Sequence, residues 1–400
     1  MLKRSASTLL EQEPKKICTG QEQPVAMKSE FTLFAKSTFG DKTDEQQLDL
    51  MQKYAEKNGT TTNIADHFIS ACRIFWDGKM WWCFDNDRRI WIRNSGGVRH
   101  MFDVQLYPWY AQYIAYLKSK PTTEVKVLQD MTKRASQLMM TRGQDRIITQ
   151  LKRNSNVFDP LIEQKMNNQI GFIAMKNKKL FDLNTLTVTE RPIDSMWSIE
   201  ATVNYIPHLS KEQKVFAEQY FLDLMCQDVL WVQYLLDAIK SSIYGGSLPY
   251  VFMCVGNGRN GKSLLFQLLM SMFPSMVTPQ SKHTCLMKKE KKLRLMAKRR
   301  MAIVSDLDGK NEKLNLKGVL QAMEDNTATV WTLTNTLPNT TKCTEVRDRM
   351  KLIPFNARFD VSQSFSNLLY NQMDVIFTYI MQHGHVLDNF TNNYPGSMIQ

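Results

Sequence analysis

Bulky apolar residues alternate with polar ones around Asp77-Gly78 and Asp85-Asn86 in CRIFWDGKMWWCFDNDRRIWI, residues 72 to 92, a pattern that predicts two or three short strands in a meander. A helical texture follows from about 109 to 167, and its closing part, TKRASQLMMTRGQDRIITQLKR, sets cations between apolar positions. In IGFIAMKNKKLFDLNTLTVTERP the alternation of Ile170, Phe172 and Ala174 and the NKK turn predict a hairpin. Helical periodicity returns over 211 to 245: Phe216, Tyr220, Phe221 and Leu224 form one stripe, and Val229, Val232, Leu235 and Leu236 the next. Stripes of this kind read as core. From 248 onward, strand-like runs at 250–255, 301–305, 330–334 and 351–354 alternate with helical segments. That alternation predicts a largely parallel, helix-covered sheet.

Three regions follow from these changes of texture: a mobile basic and polar segment at 1–60, a mixed α/β accessory domain at 61–209 and an α/β domain at 210–400. Within the first, Lys3-Arg4 and Lys15-Lys16 have the spacing of a two-part nuclear import signal, although charge clusters in polar tails are more often solvated. The surplus of 51 Lys and Arg over 39 Asp and Glu, a net charge of +12, favours a polyanionic partner, nucleic acid first. With no long uncharged apolar run and no signal-peptide core, the expectation is an intracellular protein without a membrane segment. Seven cysteines without a C-x-x-C pair suit free thiols in a reducing compartment.

One stretch changes the picture from fold to chemistry. GNGRNGKSLLFQLL, residues 256–269, follows the apolar run YVFMCV and leads into an apolar helix. Gly-x-x-x-x-Gly-Lys-Ser in that setting is a phosphate loop, whose successive amide N–H groups turn inward onto a polyphosphate at a helix N-terminus. Gly256, Gly258, Asn260, Gly261, Lys262 and Ser263 are its candidate ATP-binding residues, with Lys262 offsetting β- and γ-phosphate charge and the Ser263 hydroxyl ligating magnesium. RRMAIVSDLDG then supplies Asp306 and Asp308 at a strand end, candidates for holding Mg2+ and polarising the attacking water. VWTLTN ends in Asn335, placed to orient water or meet a γ-phosphate, and EVRDRMKLIPF brings Arg347 and Arg349 to the entrance of a strand. Without the rest of the series these are an Asn-led turn and surface arginines.

The order GNGRNGKS, IVSDLDG, TNTLP, DRMKLIPF resembles the superfamily 3 helicases, in the branch of poxvirus-type nucleoside triphosphatases and phage or plasmid primase-helicases. The segment from Ile170 to His208 and WDGKMWW look like that branch's accessory domain, so the resemblance spans roughly 65 to 390. It implies an AAA+-like P-loop ATPase core, Mg-ATP hydrolysis, a hexameric ring around single-stranded DNA, and work beside replication proteins in the host nucleus or at a viral replication site. Carried over by motif, Lys262 and Ser263 are the phosphate-loop residues and Asp306 is the acid that is usually glutamate. Asn335 is the polar sensor, and Arg349, five residues before Pro354, is the finger.

This sequence departs from the pattern in three places. Asp306 is one methylene shorter than glutamate, and Asp308 could compensate. Nine residues, 326–334, stand where relatives fit a longer DNA-gripping hairpin. About 60 weakly patterned residues precede the accessory region, so the expectation is a chain without the fused primase domain that some relatives carry. Eight cations in KKEKKLRLMAKRR, 288–300, suit a DNA-tracking surface and equally a solvated helix face. Trp76, Trp81, Trp82 and Trp91 could stack on bases, but the meander's composition favours burial. The expected activity is a DNA helicase. The alternatives are a DNA-loading or packaging ATPase that does not unwind, and a P-loop kinase of a small metabolite.

Overall fold

The computed structural model describes residues 61–94, 97–119, 121, 123–246, 248–280, 299–305, 328–335, 349–360, 363–387 and 390. In chain order its elements open with α1 (Thr61–Ala71), β1 (Ile74–Trp76), β2 (Trp81–Asp85), β3 (Ile90–Asn94) and α2 (Gly97–Met101). A π-helical turn (Phe102–Leu106) leads into α3 (Tyr107–Ser119), α4 (Val125–Met139), α5 (Thr141–Arg153) and α6 (Ile162–Lys165). Next come β4 (Phe172–Met175), β5 (Lys179–Asp182), β6 (Thr187–Glu190), α7 (Lys211–Leu224) and α8 (Val229–Tyr244). The chain continues through β7 (Val251–Val255), α9 (Lys262–Met272), β8 (Val277–Gln280), β9 (Met301–Val304) and β10 (Thr329–Thr334). It ends in β11 (Met350–Pro354), α10 (Gln363–Asn371) and α11 (Met373–His383).

By contacts the chain divides into two units, Met1–Ala71 with Phe102–Asp145, and Cys72–Met101 with Arg146–Gln400. In the described part of the first, Phe68 of α1 meets Phe102 edge-on at 4.9 Å, and His67 Nδ1 lies 3.1 Å from the Tyr110 hydroxyl of α3. Gln144 donates to Asp103 Oδ1 at 2.9 Å.

The second unit holds three sheets. β1-β2-β3 is the antiparallel meander the alternation predicts, and it buries Trp81, Trp82 and Trp91. Trp76 is half-buried, with Lys152 Nζ 4.1 Å from its ring centroid. The stretch read as a hairpin is a three-stranded antiparallel sheet, β4-β5-β6. Its third strand, TVTE, is exposed at every residue, so no apolar face announces it. Arg191 ties the two small sheets: its buried guanidinium donates to the carbonyls of Arg88 (2.9 Å) and Lys179 (3.1 Å) and pairs with Glu200 at 3.6 Å.

The third sheet has five strands in the order β11-β7-β10-β9-β8, every pairing parallel. Parallel strands are joined by helical crossovers that cover the sheet, so they are buried on both faces and need no alternation. VFMCV obeys this: Phe252 and Cys254 enter one core cluster, while Val251 and Met253 on the opposite face are equally buried. Trp331 of β10 stacks on Phe252 at 4.6 Å, meets Phe266 of α9 at 5.3 Å and donates to Ser242 Oγ of α8 at 3.0 Å. That core cluster runs from Ile173 to Phe390. Two helices flanking the sheet start on strong caps. Ser210 and Gln213 form a capping box at α7, and Asp228 accepts from the Leu230 and Trp231 amides at α8.

Most of the basic run at 288–300 lies outside the described residues, but its last two arginines correct the surface reading of their part. Arg299 donates to the Ser275 carbonyl. Arg300, 7% exposed, donates to the carbonyls of Ile243 (2.6 Å), Phe172 (2.6 Å) and Gln169 (3.1 Å). Desolvation pulls its pKa down to about 10, still charged at neutral pH. Arg300 therefore pins the end of α8 and the start of β4 to the root of β9. Arg300→Ala would strand those carbonyls, and is expected to lower unfolding free energy by about 2–4 kcal/mol in urea titrations.

Candidate nucleotide site

β7 delivers the chain to the carboxyl end of the parallel sheet, where loops and helix starts gather. The next residues form a tight loop, and α9 opens at Lys262 with Gly261 as its cap in the left-handed conformation, φ 81°. Gly256 is required by close approach: a Cβ there would lie 2.0 Å from the Phe355 carbonyl oxygen. Gly261 is required by both its φ and its neighbours, since a Cβ would lie 2.6 Å from Leu224 Cδ1. Gly258 has nothing within 4 Å.

The loop is tied down at its root on both sides. The Gly256 N–H donates to the Thr334 carbonyl of β10 at 3.2 Å, and the Phe355 N–H donates to the Val255 carbonyl at 2.7 Å. Asn260, expected to meet the nucleotide, is buried and turned inward. Its Nδ2 donates to the Phe355 carbonyl at 3.0 Å, and its Oδ1 faces the Lys262 N–H at 3.4 Å. Here Asn260 acts as a brace between loop and β11, a role the motif alone does not reveal.

Lys262, 6% exposed, donates from Nζ to the Gly256 carbonyl, so its ammonium lies across the mouth of its own loop. Burial raises the Cys254 thiol pKa, and the charge of Lys262 acts in the opposite direction. A thiol so placed stays protonated and acts as core rather than nucleophile.

Around these residues is a cleft of about 350 Å³, within the range of small-ligand sites. Gly258, Arg259, Asn260, Gly261, Lys262 and Ser263 line it, and so does Asn335, the residue after β10. The sheet explains the meeting. β10 pairs with β7 on one side and β9 on the other, with Thr334 opposite Val255, so the residue after β10 emerges beside the loop. β9 ends at Val304, opposite Thr332. Asp306, Asp308 and Arg347 lie outside the described residues. Among the described residues, no group of three or more His, Cys, Asp or Glu comes together to hold a metal.

Arg349 is brought to a different place. Met350 pairs with Val251 in parallel register, so Arg349 stands beside Tyr250 at the amino end of the sheet, whereas the loop leaves after Val255. Five residues of strand separate the two levels, roughly 17 Å, more than an arginine side chain spans. Arg349 and Lys262 of one chain do not share a site.

Among the described residues no helix is long and apolar enough to cross a membrane. No family model matches the chain, and no curated protein matches it. Among solved structures it is similar to the C-terminal region of NrS-1. One such structure has a TM-score of 0.44 at 10% identity, covering 81% of this chain and 70% of that chain. Another has a TM-score of 0.44 at 11% identity, covering 83% and 71%.

The steric contrast within the loop is directly measurable. Gly256→Ala is expected to lower unfolding free energy by about 1–3 kcal/mol, because the added methyl meets fixed backbone. Gly258→Ala, which meets nothing, should stay within about 0.5 kcal/mol of wild type in the same denaturant titration.

Proposed function

We propose that the protein is a Mg-ATP-dependent DNA helicase of the superfamily 3 type, built on an AAA+-like core and working as a ring of copies around single-stranded DNA in the replication of a virus or mobile element. The observation that carries this reading is one cleft in which Lys262 and Ser263 open a helix after a glycine loop while Asn335 arrives from the adjacent strand. A strand inserted between the loop strand and the strand leading to Asp306 suits a core in which a carboxamide watches the γ-phosphate from between loop and acid.

Each residue then has a task. The loop amides hold the β-phosphate, and the Lys262 ammonium moves from the Gly256 carbonyl onto the β- and γ-oxygens. Ser263, exposed in the first turn of α9 and lining the cleft, suits magnesium, which takes a hydroxyl and phosphate oxygens in preference to an all-protein cage. Bound there, the metal would neutralise charge on the transferring phosphate. Asp306 with Asp308 completes the metal and water site, and Asn335 orients the γ-phosphate. Arg349, a strand's length from its own loop, serves the cleft of a neighbouring copy as a finger.

A second reading, a DNA-loading or packaging ATPase that does not unwind, is favoured by one observation. In the segment where relatives carry a DNA-gripping hairpin, Ala328 is buried and Thr329–Thr334 are spent on the buried strand β10. Strand displacement measured beside DNA-stimulated turnover separates the two, since hydrolysis without displacement supports the second.

For the shared ATPase step, Lys262→Ala and Arg349→Ala are each expected to reduce ATP turnover at least about a hundredfold with single-stranded DNA present. Mixing the two inactive proteins should restore part of the activity, because a wild-type Lys262 cleft then meets a wild-type Arg349. Full turnover by isolated single subunits would exclude the shared site.

A further inference from the structure

Arg349 joins the sheet at a corner that pairing alone supports weakly. β11 is an edge strand whose partner in the sheet is β7, and Arg349 stands just ahead of its first residue, level with Tyr250. A group that has to meet a transition state must be held to within about 0.5 Å, which pairing along one side of a strand end does not secure. Other contacts must fix that corner.

Tyr250 gathers them. Lys351, the second residue of β11, places its Nζ 4.8 Å from the Tyr250 ring centroid, and Phe390 meets the same ring edge-on at 5.9 Å. Phe390 is 1% exposed and is itself caged: Tyr234 of α8 and Phe252 of β7 meet it edge-on at 5.6 and 5.1 Å. Edge-to-face rings set orientation as well as distance. Through Phe390, Tyr250 and Lys351 the core therefore reaches a residue two positions after Arg349.

The chain leading to Phe390 is held along a defined path. After α11, Gly384 to Leu387 lie against α8 under three buried polar side chains of that helix. Asp237 Oδ1 accepts from the His385 N–H at 2.7 Å, Lys240 Nζ donates to the Gly384 carbonyl at 3.0 Å, and Ser241 Oγ accepts from the Leu387 N–H at 2.9 Å. Spacings of three and four residues put all three on one helix face. Burying such groups is unfavourable unless they are paired, and here each is paired with the backbone of this strap. A helix that only had to fill a core would not carry them.

We propose that Phe390 is a positioning residue for Arg349: seated among Tyr234, Tyr250 and Phe252, it fixes the entrance of β11 so that Arg349 meets the cleft of the neighbouring copy in one place. The inference rests on the finger reading of Arg349 and adds the element that holds the finger. Phe390 touches no reacting atom. Its cage lies at the amino end of the sheet, roughly 17 Å from the glycine loop of the same chain, so its loss leaves that chain's own cleft intact.

The test measures Mg-ATP turnover with single-stranded DNA for full-length variants, alone and in equimolar mixtures. Phe390→Ala alone is expected to lose about tenfold or more in kcat, with KM for ATP within about twofold of wild type. Mixed with Lys262→Ala, which supplies an undisturbed Arg349, it should recover activity. Mixed with Arg349→Ala, where every cleft is sound and no finger is, it should not. A residue serving its own cleft would give the reverse pattern, and that result overturns the proposal. Recovery in neither mixture, by Phe390→Ala and by the bulkier Phe390→Leu alike, also overturns it and leaves Phe390 as core alone. The pair Lys262→Ala with Arg349→Ala keeps the two readings apart. If that pair recovers nothing, the shared finger itself falls; if it recovers while the Phe390 mixtures break the expected pattern, only the positioning role does.

Discussion

The structure depends on how β7 is held. It is the inner strand that carries the glycine loop, and its two partners reach the loop's root from opposite sides. β10 accepts from Gly256 through the Thr334 carbonyl, and β11 contributes the Phe355 amide to Val255 and its carbonyl to Asn260. A glycine-rich segment has more conformational entropy to lose than any other, so without such anchors the loop would be an ensemble rather than a cradle. The anchors are backbone groups at the carboxyl ends of β10 and β11, beside the buried inner strand β7, among the least deformable surroundings the molecule offers. The close approach at Gly256 follows from the same tie, because a loop pressed against the Phe355 carbonyl leaves no space for a side chain.

Much of this was legible in the sequence. Apolar runs at 250–255, 301–305, 330–334 and 351–354 match β7, β9, β10 and β11 to within a residue or two, because inner strands buried on both faces are mostly apolar, while β11, at the edge of the sheet, alternates buried with half-buried residues. β8 escaped notice: Val277–Gln280 is four residues long, contains Pro279 and pairs with β9 alone, and an edge position tolerates a proline that an inner strand would not. β6 escaped for the opposite reason, since TVTE is exposed throughout and held by backbone pairing with β5. At the site, the motif identified the loop residues as a group and did not distinguish their jobs. Asn260 reads as a ligand in the string GNGRNGKS; in three dimensions it lines the cleft and also braces the loop through Phe355, 95 residues away, a second role the string does not show. The apolar half of the cleft was equally hidden: Tyr220 and Leu224 read as a core stripe, and both are largely buried, but they are also the cleft's wall.

The basic surplus has a similar double meaning. A net charge of +12 reads as attraction to a polyanion, yet several cations are spent inside. Arg191 and Arg300 close on backbone carbonyls, and Lys240 donates to the carbonyls of Met381 (2.7 Å) and Gly384 (3.0 Å), fixing the end of α11 to α8. Burial lowers the pKa of all three, the cost of using a charge as a multi-pronged donor where carbonyls would otherwise go unpaired. Charge counting from sequence cannot separate these internal staples from an outward field, since both are written with the same letters.

The 95-residue gap between Asn260 and Phe355 also bears on how the protein is made. The chain emerges from a ribosome at about 5–20 residues per second, so the glycine loop exists for roughly 5–20 s before its brace has been synthesised. Until β10 and then β11 arrive, β7 is an apolar strand with open edges, able to pair with whatever strand is nearby. Nascent copies crowded on one message are each other's nearest strands, and the glycine loop is, for those seconds, the end of an unpaired apolar strand awaiting β10 and β11.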